Sequence, residues 1–517
     1  MKSNFTSWGV FFSLVVFVFL GGVFAPRLLA ATLYVSTSGS GTTCSSVSPC
    51  ALSRISTAAV PGDTWIVKNG TYSGTPALTL NCSSGSSNGT SSNPITVQAE
   101  NERQAFLSGN GNGPTMSVVN CSWWKYIGLR IEGADNAGQT GSGSVVFIGN
   151  SSNLVFQRGI YQKPNRYANT HLFEVWNGGS NVSWIENELY NFHRHAISIA
   201  TGGGNYLIAR NYCNSRQYAD IGGGYPSDGV GGDACLALYP AHDSLTINNI
   251  TENNREFMEI NASGSANDNK FLGNISLNDI FGGFTDPRGN DDAHMVHRTR
   301  FVNHAVITPS GYGIYSRSTN DTRCDQCTFL NPTLGAIAAD NWNESAGGGS
   351  STWSVGATNT LVVGGKYGFY VDQQLGGGSI NKVNTFGTGI PFSSTGGSTT
   401  TFSNATTTNP NLGACKIFIP AGSPMKGAGI SGADIGANVL YQYDSTGTLT
   451  TTPLWNSSTG AFLSQGAIVA GVNNVPGSSL FDVQNRLNVN QNGCPLPSGY
   501  GGTSTTLASP SNLIVLQ

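Results

Sequence analysis

Charged residues make up only 10% of this chain of 517 residues, so the places where they collect carry weight. Two glycine-containing stretches gather them: Asp220, Asp228 and Asp233 in the first, and Asp286, Arg288, Asp291, Asp292 and His294 in the second. Between them, Arg255 and Glu259 lie on a short run of alternating apolar residues. Carboxylates grouped in this way are oxygen ligands for a hard cation, which makes Asp228, Asp291 and Asp292 the candidate ligands of a calcium ion. A cation or an arginine set against a sugar carboxylate favours loss of the neighbouring proton, so Arg255, Arg288, Glu259, Asp233 and His294 are the candidate catalytic groups. Trp176 and Tyr239 offer flat apolar faces to sugar rings, and with Glu174 they are the candidate substrate contacts. The competing reading is that the aspartates only shape glycine-rich turns.

A ladder of asparagines shows which elements must hold these side chains. Asn187, Asn211, Asn249 and Asn274 each close an apolar-alternating stretch, at steps of 24, 38 and 25 residues. Asn253, Asn278, Asn303 and Asn331 form a second column at steps of 25, 25 and 28. A chain that returns to one structural position every two dozen residues, with β-type alternation between, is a β-solenoid. The apolar pairs Phe173/Val175, Ile197/Ile199, Leu236/Leu238 and Met258/Ile260 each put both members on one strand face, so they stack coil upon coil into a core. Asparagine suits the bends because it tolerates left-handed backbone angles and its amide bonds the equivalent residue one rung away.

The 38-residue step contains an insertion, chiefly Gln217 to Asp233, and a second irregular stretch runs from Gly282 to His294. Insertions leave a solenoid as loops on one flank, so both are expected to overhang a common groove. Outward positions beside the core pairs form a column of Glu174, Ser198, Ala237 and Glu259, with Trp176 and Tyr239 next to it. Rungs lie ~4.8 Å apart, which puts Glu174 and Glu259 roughly 14 Å from each other, beyond the ~5–10 Å of a glycosidase carboxylate pair. His195 shares the parity of Ile197 and Ile199 and reads as an edge histidine.

Lys2, the apolar run Val10 to Leu20 and the small-residue end Leu29-Ala30-Ala31 read as a secretion signal, too short and too glycine-interrupted for the ~20 apolar residues of a membrane span. Ten cysteines fit an oxidising compartment. Local pairings of Cys44 with Cys50, Cys324 with Cys327 and Cys415 with Cys494 suit the spacing, though sequence leaves connectivity open. Cys324-Asp325-Gln326-Cys327 reads as a staple within one coil, since no second Cys or His pair at metal spacing accompanies it. A net charge of −3 without a basic stripe speaks against nucleic acid as a partner. Leu52, Ile55 and Ala59 have helical spacing, and a short helix there would close the open end of the solenoid before Pro61-Gly62. From Ser393 to Pro410 the alternation fades, which suggests a loop leading to a cap.

Tyr34-Val35-Ser36, the short helix, Pro61-Gly62-Asp63-Thr64 and Gly70-Thr71-Tyr72 together resemble the opening of bacterial proteins of the pectin lyase-like superfamily. The segment Gly422-Ser423-Pro424 to Ala433-Asp434-Ile435-Gly436-Ala437 resembles the closing segment of such proteins. The resemblance implies an all-β fold, a single-stranded right-handed parallel β-helix with an N-terminal capping helix and an irregular C-terminal cap. The expected organisation is signal 1–31, N-terminal cap 32–62, β-helix 63–440, C-terminal segment 441–501 and polar tail 502–517.

Two enzyme templates of that superfamily meet this sequence only in part. The lyase type with Glu-x-Glu followed by Lys has here Glu256 and Glu259, three apart and so on opposite strand faces, with Gly264 at the Lys position. The polygalacturonase type is matched by fragments: Asp228-Gly229-Val230, Asp233-Ala234-Cys235, Asp291-Asp292 and Arg298-Thr299-Arg300, without Gly-His-Gly. The expectation is a secreted monomer acting on acidic polysaccharide as a lyase, by metal- or Arg-assisted β-elimination. A non-catalytic surface or matrix glycan-binding protein and a polygalacturonase-like hydrolase are the alternatives.

Overall fold

A computed structural model describes residues 30–501, except 75, 137–143, 166–168, 216–232, 261–265, 286–295, 318, 341–353, 372–377, 396–397 and 475–478. Three parallel sheets of 14, 12 and 12 strands run along the molecule. Each coil gives one strand to each sheet: Ser180–Ile185, Glu188–Tyr190 and His195–Ile199 make one turn, and Leu207–Ala209 begins the next. Within these three sheets the strands pair in parallel with their counterparts one coil away, as Ile197 with Leu236 and Leu236 with Met258. The fold is therefore a parallel β-helix, coiled in the right-handed sense that parallel crossovers take.

The core follows from this register. Phe173, Val175, Ile197, Ile199, Leu236, Leu238, Met258 and Ile260 are all buried and lie in line across successive coils. A second interior file, Tyr126, Phe156 and Trp184, stacks with ring centroids 4.9 and 6.4 Å apart. At the bend after the first sheet, the amide nitrogen of Asn187 donates to Asn211 Oδ1, Asn211 to Asn249 and Asn249 to Asn274, each at 3.0 Å. The residue before each of the first three, Glu186, Arg210 and Asn248, takes a left-handed conformation with φ of 58°, 54° and 53°.

The second asparagine column departs from its expected membership. Asn253, Asn278 and Asn331 do share a left-handed bend, but Thr308 fills the rung between the last two. Asn303 belongs to the other bend, in line with Asn248 and Gly273. In a chain so rich in asparagine, equal spacing arose there by coincidence. One position further along the same bend, Asn254 donates from its side-chain amide to Asp279 Oδ1 at 3.1 Å, so a buried aspartate occupies an asparagine rung.

The short helix of the N-terminal region is Arg54–Ala58, with Leu52, Ile55 and Ala59 buried. Strands Ile390–Ser394 and Thr401–Ser403 still extend the sheets, because backbone pairing persists where side-chain alternation has faded. The chain then turns back along the flank. Ile430 N–H donates to Asn359 Oδ1 at 2.8 Å, Tyr443 N–H to Asn248 Oδ1 at 2.7 Å and Ala467 N–H to Glu102 Oε1 at 3.2 Å, so the return passes most of the coils. Val439, Trp455 and Leu487 of the return bury Ile250, Ile275 and Ala305 on the outer face of the third sheet. Arg486 bonds Glu252 at 2.7 Å, and Arg103 pairs with Glu188 where Asn473 also donates.

All ten cysteines are paired. The three local pairings suggested by spacing are present, together with Cys82–Cys121 and Cys213–Cys235. Among the described residues no helix is long and apolar enough to cross a membrane.

Candidate functional site

The site is built on the outer face of the sheet that contains His195–Ile199, Ala234–Leu238 and Glu256–Ile260. Alternation sends Leu236, Met258 and Ile260 inward and Ala237 and Glu259 outward, directly paired in register. Asp233 stands just before its strand, where its carbonyl accepts the Glu256 N–H at 2.8 Å. The Cys213–Cys235 disulfide anchors the strand two residues further on. The outward residues beside Glu259 on earlier coils are the small Ala237 and Ser198, which leaves room for Tyr239 to reach the cluster.

Five side chains converge there. Tyr239 Oη donates to Glu259 Oε2 at 3.0 Å and lies 3.4 Å from His195 Nε2, and that nitrogen is 3.4 Å from Glu259 Oε2. Ligand atoms of His195, Asp233 and Glu259 all fall within 4.8 Å of one another. Arg255 Nη1 bonds Asp233 Oδ1 at 3.2 Å, and its Nε is 3.7 Å from Glu256 Oε1. The His195 ring stacks on His171 of the preceding coil, with centroids 4.9 Å apart.

Burial dominates the electrostatics. It raises the Asp233 carboxyl above the ordinary range; neighbouring Glu259 adds to the rise, while His195, Arg255 and Arg194 oppose it. Tyr239 is likewise raised, first by burial and then by Glu259, so it stays a neutral phenol. His171 is lowered by burial, helped by His195, Arg194 and His193, and stays uncharged. The arrangement thus offers a protonated hydroxyl, an imidazole, two carboxyls, of which Asp233 is raised by burial, and a half-exposed guanidinium on one face.

Asp233, Glu259, Arg255 and Tyr239 are brought together. Glu174 and Trp176 are not: they bond each other at 2.6 Å, three coils away from Glu259 in register. Glu174 also accepts from Ser144 Oγ at 2.5 Å, so it holds the Trp176 ring in place. Arg288, His294, Asp291, Asp292 and Asp228 lie outside the described residues. His195 does stand at the edge of its strand, and its partners belong to the cluster. As the first residue of its strand it follows a bend, so strand parity does not fix its direction, and its ring faces Tyr239 and Glu259. A signal for it was present in the sequence, since His171 and His195 are one 24-residue coil apart, the same step as Asn187 to Asn211.

His195, Asp233 and Glu259 are the group that could hold a metal among the described residues. One imidazole nitrogen with two carboxylates suits a first-row divalent metal. It falls short of the six to eight oxygens that calcium takes, so this cluster does not fit calcium.

No protein-family model matches this chain, and no curated protein does. Among solved structures it is similar to an alginate lyase from Paenibacillus, at 13% identity and a TM-score of 0.40 over 60% of this chain and 97% of that one. It is similar also to a pectate lyase, at 12% identity and a TM-score of 0.39 over 79% and 96%. A third similarity is to the A-module of a mannuronan C-5 epimerase from Azotobacter vinelandii, at 11% identity and a TM-score of 0.46 over 66% and 91%. The class of the protein is a parallel β-helix, and that rests on its own strand registers; at such identities these likenesses add nothing about activity.

Proposed function

We propose that this chain cleaves a uronate-containing polysaccharide by β-elimination, at the cluster of His195, Asp233, Tyr239, Arg255 and Glu259. The observation that carries the reading is the Tyr239 hydroxyl, held 3.0 Å from Glu259 and 3.4 Å from His195 beside a half-exposed arginine. Arg255 faces the substrate carboxylate and stabilises charge that builds on it. His195 Nε2 takes the proton from the carbon next to that carboxylate, and the C–H electron pair becomes the new carbon–carbon double bond. The C4–O bond breaks with its electrons going to oxygen, which Tyr239 protonates; the proton held by His195 then returns to Tyr239 across the short gap. Glu259 steadies the transient imidazolium, and Asp233 orients Arg255.

Calcium, expected from Asp228, Asp291 and Asp292, enters this reading as a second aid to carboxylate neutralisation, and no step depends on it. The test is incubation with polygalacturonate, alginate and chondroitin sulfate, following ultraviolet absorbance of unsaturated product, with chelator and with calcium restored. Absence of unsaturated product from all three overturns the proposal. A second reading draws on the closeness of the Asp233 and Glu259 carboxyls, with Asp233 raised above its ordinary range by burial, near the ~5 Å spacing of a retaining glycosidase. New reducing ends without unsaturation would establish that alternative.

A further inference from the structure

Glu259 is one member of an outward file that continues past the cluster. The register runs from Glu259 to Phe284, Tyr315, Ala338 and Tyr370 on successive coils. Their neighbours on the inner side, Ile314 and Phe369, are core residues, whereas Phe284, Tyr315 and Tyr370 are only half-buried. Phe281, Tyr312 and Tyr367 widen the row, with centroids 5.7, 5.5 and 5.3 Å from Phe284, Tyr315 and Tyr370 respectively. Single exposed rings are commonplace, but contiguous apolar surface of this kind marks a binding face.

We propose that this row is a glycan-binding shelf, taking successive sugars of a linear acidic polysaccharide on the C-terminal side of the cluster. The inference rests on the reading of the Glu259 cluster as the place where such a chain reacts, and it adds the direction in which the chain lies. Aromatic rings present the apolar faces that pyranose C–H groups cover, and a pyranose is about as long as the ~4.8 Å rise between rungs. The rim carries two cations, which complement uronates, beside one carboxylate, Asp340, which accepts from the Tyr315 hydroxyl. Arg317 sits over Phe284 and Tyr315 at 5.2 and 4.7 Å, and Lys366 sits over Tyr367 at 4.9 Å. On the other side of the cluster the same file holds Ala237, Ser198 and Glu174 before it reaches Phe147, with Trp176 bonded to Glu174 beside it, so no paired row of rings on consecutive coils adjoins the cluster that way among the described residues.

The experiment uses the full chain and two variants, Tyr315→Ala and Tyr370→Ala, with Tyr315→Phe as the ring-retaining control. Binding to immobilised polygalacturonate, alginate and chondroitin sulfate is measured first. On whichever polymer is turned over, kcat/KM for the polymer is then divided by that for its shortest cleavable oligosaccharide. Loss of one ring should lower polymer affinity, and that ratio, by ~3- to 10-fold, as one aromatic contact is worth; Tyr315→Phe should restore both. Polymer binding weakened by the alanine variants, without turnover by the wild type, would support the shelf while refuting the lyase reading. Turnover with an unchanged ratio and unchanged affinity in both alanine variants would refute the shelf and leave the lyase reading standing. Failure of the wild type to bind any of the three polymers refutes the shelf.

Discussion

Replacing Asp279 by asparagine should stabilise the protein in neutral and alkaline buffer and change little in acid. Asp279 is fully buried on a rung where a neighbouring coil carries Asn254, and burial raises its carboxyl from 3.8 to about 7. A folded-state value above the unfolded one means that the fold favours the protonated form. Stability from this group is therefore complete below about pH 4, declines as pH rises through the interval to about 7, and is flat beyond. A shift of about three units corresponds to on the order of 4 kcal/mol. Four donors favour the carboxylate, and the rise to about 7 is what burial leaves after them: Asn254 N–H at 2.8 Å, its amide at 3.1 Å, and the hydroxyls of Thr251 and Ser276 at 2.5 and 2.7 Å. The net gain of Asp279→Asn should be smaller, about 1–2 kcal/mol: asparagine keeps the acceptor for Asn254, but the Thr251 and Ser276 hydroxyls, which now donate to the carboxylate, must turn to accept from its amide. The assay is thermal unfolding of both proteins from pH 4 to 8, read as the difference in Tm. That difference should start near zero and grow by a few °C with rising pH. A variant that melts below the wild type at pH 8 would show that the four donors stabilise the carboxylate more than burial penalises it, and the reasoning would fail.

Tyr239→Phe removes the hydroxyl that Glu259 accepts while keeping the ring; kcat on the cleaved polysaccharide should drop ~100-fold or more, with circular dichroism unchanged. Arg486→Met leaves Glu252, 2% exposed, without its cation, and should cost about 3 kcal/mol, read as a lower Tm and faster proteolysis of the returning segment. After chelator, zinc or manganese on His195, Asp233 and Glu259 should raise Tm, an increment that His195→Ala abolishes; calcium, with too few oxygens at that cluster, should give none that depends on His195.

How much of this was written in the sequence differs by element. Asn187, Asn211, Asn249 and Asn274 were legible because an amide that must meet its counterpart every coil cannot drift in register, and the same constraint fixed the apolar pairs. Asn303 misled because composition alone produces equal steps, and only the strand pairing shows that Thr308 holds that rung. Glu259, Asp233 and Arg255 stood out as rare charges in a neutral chain. His195 did not, since parity along a strand says nothing of a residue at the point where the strand begins. Phe284, Tyr315 and Tyr370 were hidden for another reason: the irregular sequence from Gly282 to His294 and the uneven coil lengths after it hide their alignment until pairing is known.

The returning C-terminal segment changes how such a molecule has to be made. An array of coils stacked only on their neighbours can form progressively from the first one synthesised. Here Arg103 and Glu188 find their last partners at Ala467 and Asn473, more than 280 residues later in the chain. The apolar flank of the early coils therefore stays bare throughout synthesis and is sheathed only when the tail arrives. Premature termination shortly before the tail would leave a nearly complete solenoid with an uncovered, aggregation-prone side, and the cell would have to shield that side until the final residues are in place.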